Sequence, residues 1–188
     1  MAEWPLHVTQ SFNSAAASDP AGTDSSVLYG PYTRLLCNLF SFDGPYEVLP
    51  QYQIQGDSIN VTTIFVIELQ RRPVFWMEVN PSASFRFSSK RKEADSQMRK
   101  RVADMRVNLA IPVLHGVSAF GTRLCFYRYD ARSQELTPHR ILAHPTLVTE
   151  FAPTDNWNCD LLQADGAQRL KQVVEEVKEM CSQIQPLA

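Results

Sequence analysis

Apolar positions recur along this chain with two different periods. In residues 29–41, YGPYTRLLCNLFS, Tyr32, Leu35, Leu36 and Leu39 fall at helical spacing, and Asp43-Gly44 marks where that helix stops. From Tyr46 to Ile54 the pattern becomes that of a strand. Gly56-Asp57-Ser58 reads as a turn, and Ile59 to Leu69, rich in β-branched residues, as a second strand. Arg71-Arg72-Pro73 then turns the chain into a third, PVFWMEVNP, residues 73–81. Its Val74, Phe75, Trp76, Met77 and Val79 predict burial on both faces.

A helix is predicted next, over residues 92–109, where Ala94, Met98, Val102, Met105 and Leu109 form one apolar stripe with the arginines and lysines outside it. Ile111 to Leu114 and Val117 to Phe120 lead through Gly121 to an alternating strand, Arg123 to Tyr129. After a loop with several prolines, Asp165-Gly166 opens a last helix whose core face is Leu170, Val173, Val174, Val177, Cys181 and Ile184. Residues 10–27, small and polar without apolar periodicity, read as mobile. The expected organisation is a mobile leader over 1–28 and one α/β domain with a mixed sheet over 29–188: helix, three-strand meander, helix, two further strands, C-terminal helix.

Glu78 interrupts the third strand. A carboxylate buried there costs several kcal/mol unless a cation or hydrogen-bond donors meet it. One solution is a structural ion pair with Arg71, Arg72 or Arg123; the other is a metal.

Composition narrows the class. At 188 residues, with 44% hydrophobic and 20% charged residues, the chain is long enough for a substantial core and has neither a disordered nor a membrane composition. No apolar run approaches the roughly 18 residues of a spanning helix. The start, MAEWPLHVTQ, has no basic segment followed by an apolar one, so no secretory signal is expected. Cys37, Cys125, Cys159 and Cys181 are widely spaced, as suits reduced thiols in an intracellular protein, cytoplasmic or nuclear. The sequon Asn60-Val61-Thr62 is then accidental. His115, His139 and His144 lack ligand spacing, Ser118 sits in no nucleophile elbow, and the glycines form no phosphate loop.

Charge is uneven although the net value is only −2: Arg86, Lys90, Arg91, Lys92, Arg99, Lys100, Arg101 and Arg106 place eight of the 18 basic residues within 21 positions. The run reads either as a solvated helix face or as a grip on a phosphate backbone through Lys90, Arg91, Lys92, Arg99, Lys100 and Arg101. Phe75, Trp76, Phe85 and Phe87 suit a core, and Phe85-Arg86-Phe87 beside the run could also stack on bases.

An antiparallel meander whose third strand carries a buried Glu-x-x, followed at once by a helix and another strand, resembles the core of the PD-(D/E)XK, or restriction-endonuclease-like, superfamily. The resemblance covers residues 29–130. The stretch from PVFWMEVNP through SAFGTRLCFYRYD is also similar to fungal, mostly mushroom, proteins of that type in which a lysine follows the glutamate. The resemblance implies an Mg²⁺-dependent nuclease or a nucleic-acid-binding protein derived from one. Glu78 would be the strand glutamate and a metal ligand, with Asp57 the upstream acid unless Asn60 takes its place. Asn80 would stand at the lysine position and Gln97 at a helix glutamine found in some branches. Such a metal activates a water and offsets charge on the scissile phosphate. Asn80 can neither carry charge nor act as a base, so that role is empty unless Lys90, Lys92 or Arg123 reaches in. The alternative is a catalytically degenerate module that binds nucleic acid or a protein partner. For Asp57 a turn role, and for Gln97 a boundary role, stand beside the catalytic ones.

Overall fold

The structure, a computed structural model, describes residues 4–50, 63–141 and 151–184. Among the described residues four helices, α1 (Leu6–Ser18), α2 (Tyr29–Leu39), α3 (Ser88–Met105) and α4 (Ala164–Ser182), accompany strands β1 (Tyr46–Pro50), β2 (Thr63–Leu69), β3 (Arg72–Asn80), β4 (Val113–Phe120), β5 (Arg123–Asp130), β6 (Glu135–Thr137) and β7 (Cys159–Asp160). Together they make a mixed α/β fold around one seven-stranded sheet, ordered β1-β2-β3-β4-β5-β6, with β7 on β5. The meander β1-β2-β3 is antiparallel, β3 and β4 are parallel, and the rest of the sheet is antiparallel. A parallel step needs a long crossover, and α3 supplies it.

Strand alternation divides the core. Phe75, Met77 and Val79 of β3 join Val117 and Ala119 of β4 in a cluster with residues of α1, α2 and α4. On the opposite face Trp76, Leu114, Phe120 and Tyr127 pack with Ala94, Met98, Val102 and Met105 of α3. Both faces of β3 are covered, as its continuous apolar run predicts. Gly116 is required where it is, because a Cβ there would stand 2.3 Å from the Trp76 indole.

The β2–β3 turn falls at Gln70-Arg71 rather than at Arg71-Arg72-Pro73, with Leu69 paired to Arg72. Both turn residues are left-handed, at φ 53° and 59°, the geometry that a two-residue hairpin demands even without glycine. Helix α3 begins at Ser88, so the KRK segment is inside it. Sequence expectation placed strands over Tyr46–Ile54 and Ile59–Leu69; residues 51–62 of these lie outside the described residues.

The expectation of a mobile leader is corrected. Residues 6–18 form α1, with Val8, Phe12 and Ala15 buried. Trp4 is buried as well and its Nε1–H donates to Leu161 O at 2.7 Å. Phe12 meets Tyr32 edge-on, with centroids 5.0 Å apart. Val8, Phe12 and Ala15 make a stripe only one residue wide, which the surrounding serines and alanines mask. No helix among the described residues is long and apolar enough to cross a membrane.

Candidate functional site

Glu78 sits in the central strand, in register with Ile64 of β2 and Ser118 of β4, and only 1% of its surface is exposed. Its side chain points to the α3 face with Trp76 and Asn80. From α3, Arg91, Ala94, Asp95, Met98, Arg101, Val102 and Met105 are the residues turned inward. Arg101 Nε donates to Glu78 Oε1 at 3.3 Å. The required cation therefore exists, but it is none of the three arginines named from sequence. Arg71 and Arg123 are exposed, and Arg123 stands over the Phe85 ring.

Asn80 is buried, and its Nδ2 donates to Ala119 O at 3.4 Å, so the residue at the lysine position is turned to the main chain of β4. Ser118 Oγ, beside Glu78 across the ladder, is buried without a hydrogen-bond partner among the described residues. Gln97 is half-buried at the margin of the α3 face. Asp57 and Asn60 lie outside the described residues.

The basic run resolves into separate environments. Lys90 pairs with Glu93 at 2.8 Å. Arg91 is buried and donates from Nε to Ala152 O and from Nη1 to Phe85 O, at 3.0 and 2.7 Å. Lys92 lies 4.3 Å above the Phe151 ring. Arg99 forks onto Asp95 with bonds of 2.8 and 2.9 Å and also donates to Pro138 O. Lys100 is exposed. Arg91, Arg99 and Arg101 thus spend their guanidinium groups within the fold, which corrects the expectation that all six form a grip on phosphate. The side of the helix decides this: Arg91, Arg101 and Asp95 share the apolar stripe's face.

Sequence reading missed Asp95 and Tyr127. Asp95 is buried and takes Arg99 on both oxygens and the Tyr127 hydroxyl at 2.9 Å. The i,i+4 spacing of Asp95 and Arg99 was a usable signal. Burial first, then the nearby Cys125 and Asp95, pushes the Tyr127 phenol well above its ordinary value, so it remains a donor. Burial likewise pushes the Cys125 thiol up to about 12, which leaves it protonated and unreactive. On β4, burial and then Arg128 push His115 down to about 4. Glu176 stands 3.4 Å from the His115 ring and would favour the proton, but it is half-exposed and screened, so burial prevails and the ring is neutral at pH 7.

Magnesium needs several oxygen ligands in near-octahedral array. Glu78 offers its Oε1 to a permanent cation instead, and among the described residues no group of three or more His, Cys, Asp or Glu side chains could hold a metal ion. Asp57, the other ligand that the resemblance implies, lies outside the described residues. Two cavities lie elsewhere, one of about 290 Å³ lined by Phe12, Ala16, Asp19, Ser82 and Thr122, another of about 260 Å³ lined by Cys125, Asp155, Asn158 and Arg169. Neither is lined by Glu78 or Asn80.

No protein-family model matches this chain, and no curated protein or solved structure shows significant similarity to it.

Proposed function

We propose that this protein is a nuclease-derived module that binds nucleic acid without cutting it, its former metal position held by an ion pair. The observation that carries the reading is Arg101 on Glu78. In the PD-(D/E)XK arrangement that the sequence resembles, the strand glutamate faces a metal and a lysine stands two positions on. Here the glutamate faces a guanidinium, and Asn80 donates to backbone. The order α2, β1 to β3, α3 and a parallel β4 supports descent from such a core, because it repeats the order that the resemblance implies. Lys92 and Lys100, exposed on α3, support attraction for phosphate.

Calorimetric titration with Mg²⁺ and Mn²⁺, a cleavage assay on single- and double-stranded DNA and RNA, and fluorescence anisotropy on the same substrates test this together. The expected result is no metal binding that depends on Glu78, no cleavage, and binding that weakens as salt rises. Mg²⁺-dependent cleavage that Glu78→Gln abolishes in a folded protein would overturn it in favour of a working nuclease. Absent or salt-independent binding would leave a protein as the partner.

A further inference from the structure

Exposed cations at one edge of the sheet stand over aromatic rings. Because β3 and β4 are parallel, Asn80 and Phe120 end side by side, and the Gly121 amide donates to Asn80 O at 3.0 Å. From those ends continue the 3-10 turn Ser82–Arg86 and the first residue of β5, Arg123. The Phe85 ring packs against Phe120 and Trp157, at centroid distances of 5.8 and 6.3 Å, which seats it on the core. The Arg123 guanidinium stands 5.1 Å above it. Arg86 lies 4.7 Å over Phe87, a ring that is 49% exposed, and Lys92 lies 4.3 Å over Phe151. Buried Arg91 donates to both Phe85 O and Ala152 O, and so ties Phe85 to the segment that carries Phe151.

We propose that this rim is a binding surface for single-stranded nucleic acid, with the Arg86–Phe87 and Arg123–Phe85 stacks as platforms for bases and Lys92 as a phosphate contact. The inference rests on the nucleic-acid reading above and moves the contact from the body of α3, where Arg99 and Arg101 face inward, to its N-terminal end. The chemistry selects a single strand. A guanidinium placed over a ring can take a base on its outer side, and an exposed ring can take one on its face, but a duplex keeps its bases' faces covered. Acidic peptides would satisfy the charges and leave the rings without use. Lys90 contributes little here because Glu93 neutralises it.

Anisotropy titration of the full chain with a labelled oligothymidylate, an oligouridylate and a mixed-sequence duplex tests the proposal. Single strands should bind more tightly than the duplex. Phe87→Ala should weaken that binding by roughly 5- to 150-fold, the loss of one base–aromatic stack, with only a small fall in melting temperature because the ring is half-exposed. The double substitution Arg86→Ala, Arg123→Ala should weaken it at least as much, and Lys92→Gln should lower the salt slope by about 0.7. Arg106→Gln, at the other end of α3, should leave the affinity as it is. Tighter binding of the duplex, or single-strand affinity indifferent to Phe87, Arg86 and Arg123, would overturn the rim and leave the broader reading standing. No binding to any of these nucleic acids would overturn both.

Discussion

Replacing Arg101 with methionine removes the cation from Glu78 while keeping most of the aliphatic volume that α3 packs against the sheet. The two side chains are 10% and 1% exposed, so solvent can do little to replace the lost guanidinium. Breaking a buried pair from one side costs about 3–5 kcal/mol. The contact here is a single Nε–H bond of 3.3 Å rather than a two-pronged fork, which argues for the lower end of that range. Against a typical total stability of about 5–15 kcal/mol, that loss is large. For a chain of this size it corresponds to a fall in melting temperature of roughly 6–12 °C.

The double variant Glu78→Leu, Arg101→Met removes both charges and should return to within about 1 kcal/mol of the wild type or exceed it. Urea unfolding of the wild type, Arg101→Met, Glu78→Leu and the double variant closes a thermodynamic cycle whose coupling term isolates the pair. A single-variant loss under about 1 kcal/mol with additive behaviour in the double variant would refute the claim that the Arg101 pair stabilises Glu78 inside the sheet.

Trp4→Ala should cost about 3–5 kcal/mol in urea unfolding, and Trp4→Phe only about 1, because α1 is seated by a buried indole that also donates to Leu161 O; no change in either would restore the mobile leader. Gly116→Ala should destabilise by about 1–3 kcal/mol in thermal melts, since the new methyl group must displace the Trp76 ring. His115 has a folded pKa of about 4 against an ordinary 6.5, so its contribution is intact above pH 6.5 and is lost as pH falls through 4. The loss amounts to roughly 3 kcal/mol, and His115→Phe should flatten the stability profile across that window, as denaturant unfolding at stepped pH would register.

Much of the fold was legible because the relevant signals are local. The two-faced apolar run of β3 and the stripe of α4 place their elements correctly, as does the β-branched run of β2 over its described residues. The stripe of α3 also contains its own polar positions: Asp95 lies three residues before Met98, and Arg101 three after Met98 and four before Met105, on the buried face. Read by charge alone, Arg101 joined its exposed neighbours; read by position, it belongs inside. Helix α1 escaped because short side chains carry little hydrophobic contrast, so Val8, Phe12 and Ala15 did not stand out from the serines between them.

The sequence by itself determined that a carboxylate lies within a buried strand and that eight basic residues follow it closely, since burial of that strand and solvation of a charge run are each set by neighbours along the chain. Which basic residue meets Glu78 was decided only in three dimensions. The parallel crossover carries α3 back across the sheet, and that path brings Arg101, 23 positions downstream, to the carboxylate while leaving Arg71 and Arg123 at the strand ends. The hydrogen bond that Arg101 makes to Glu78 needs contact distance, and separation in space is a property of the packed fold.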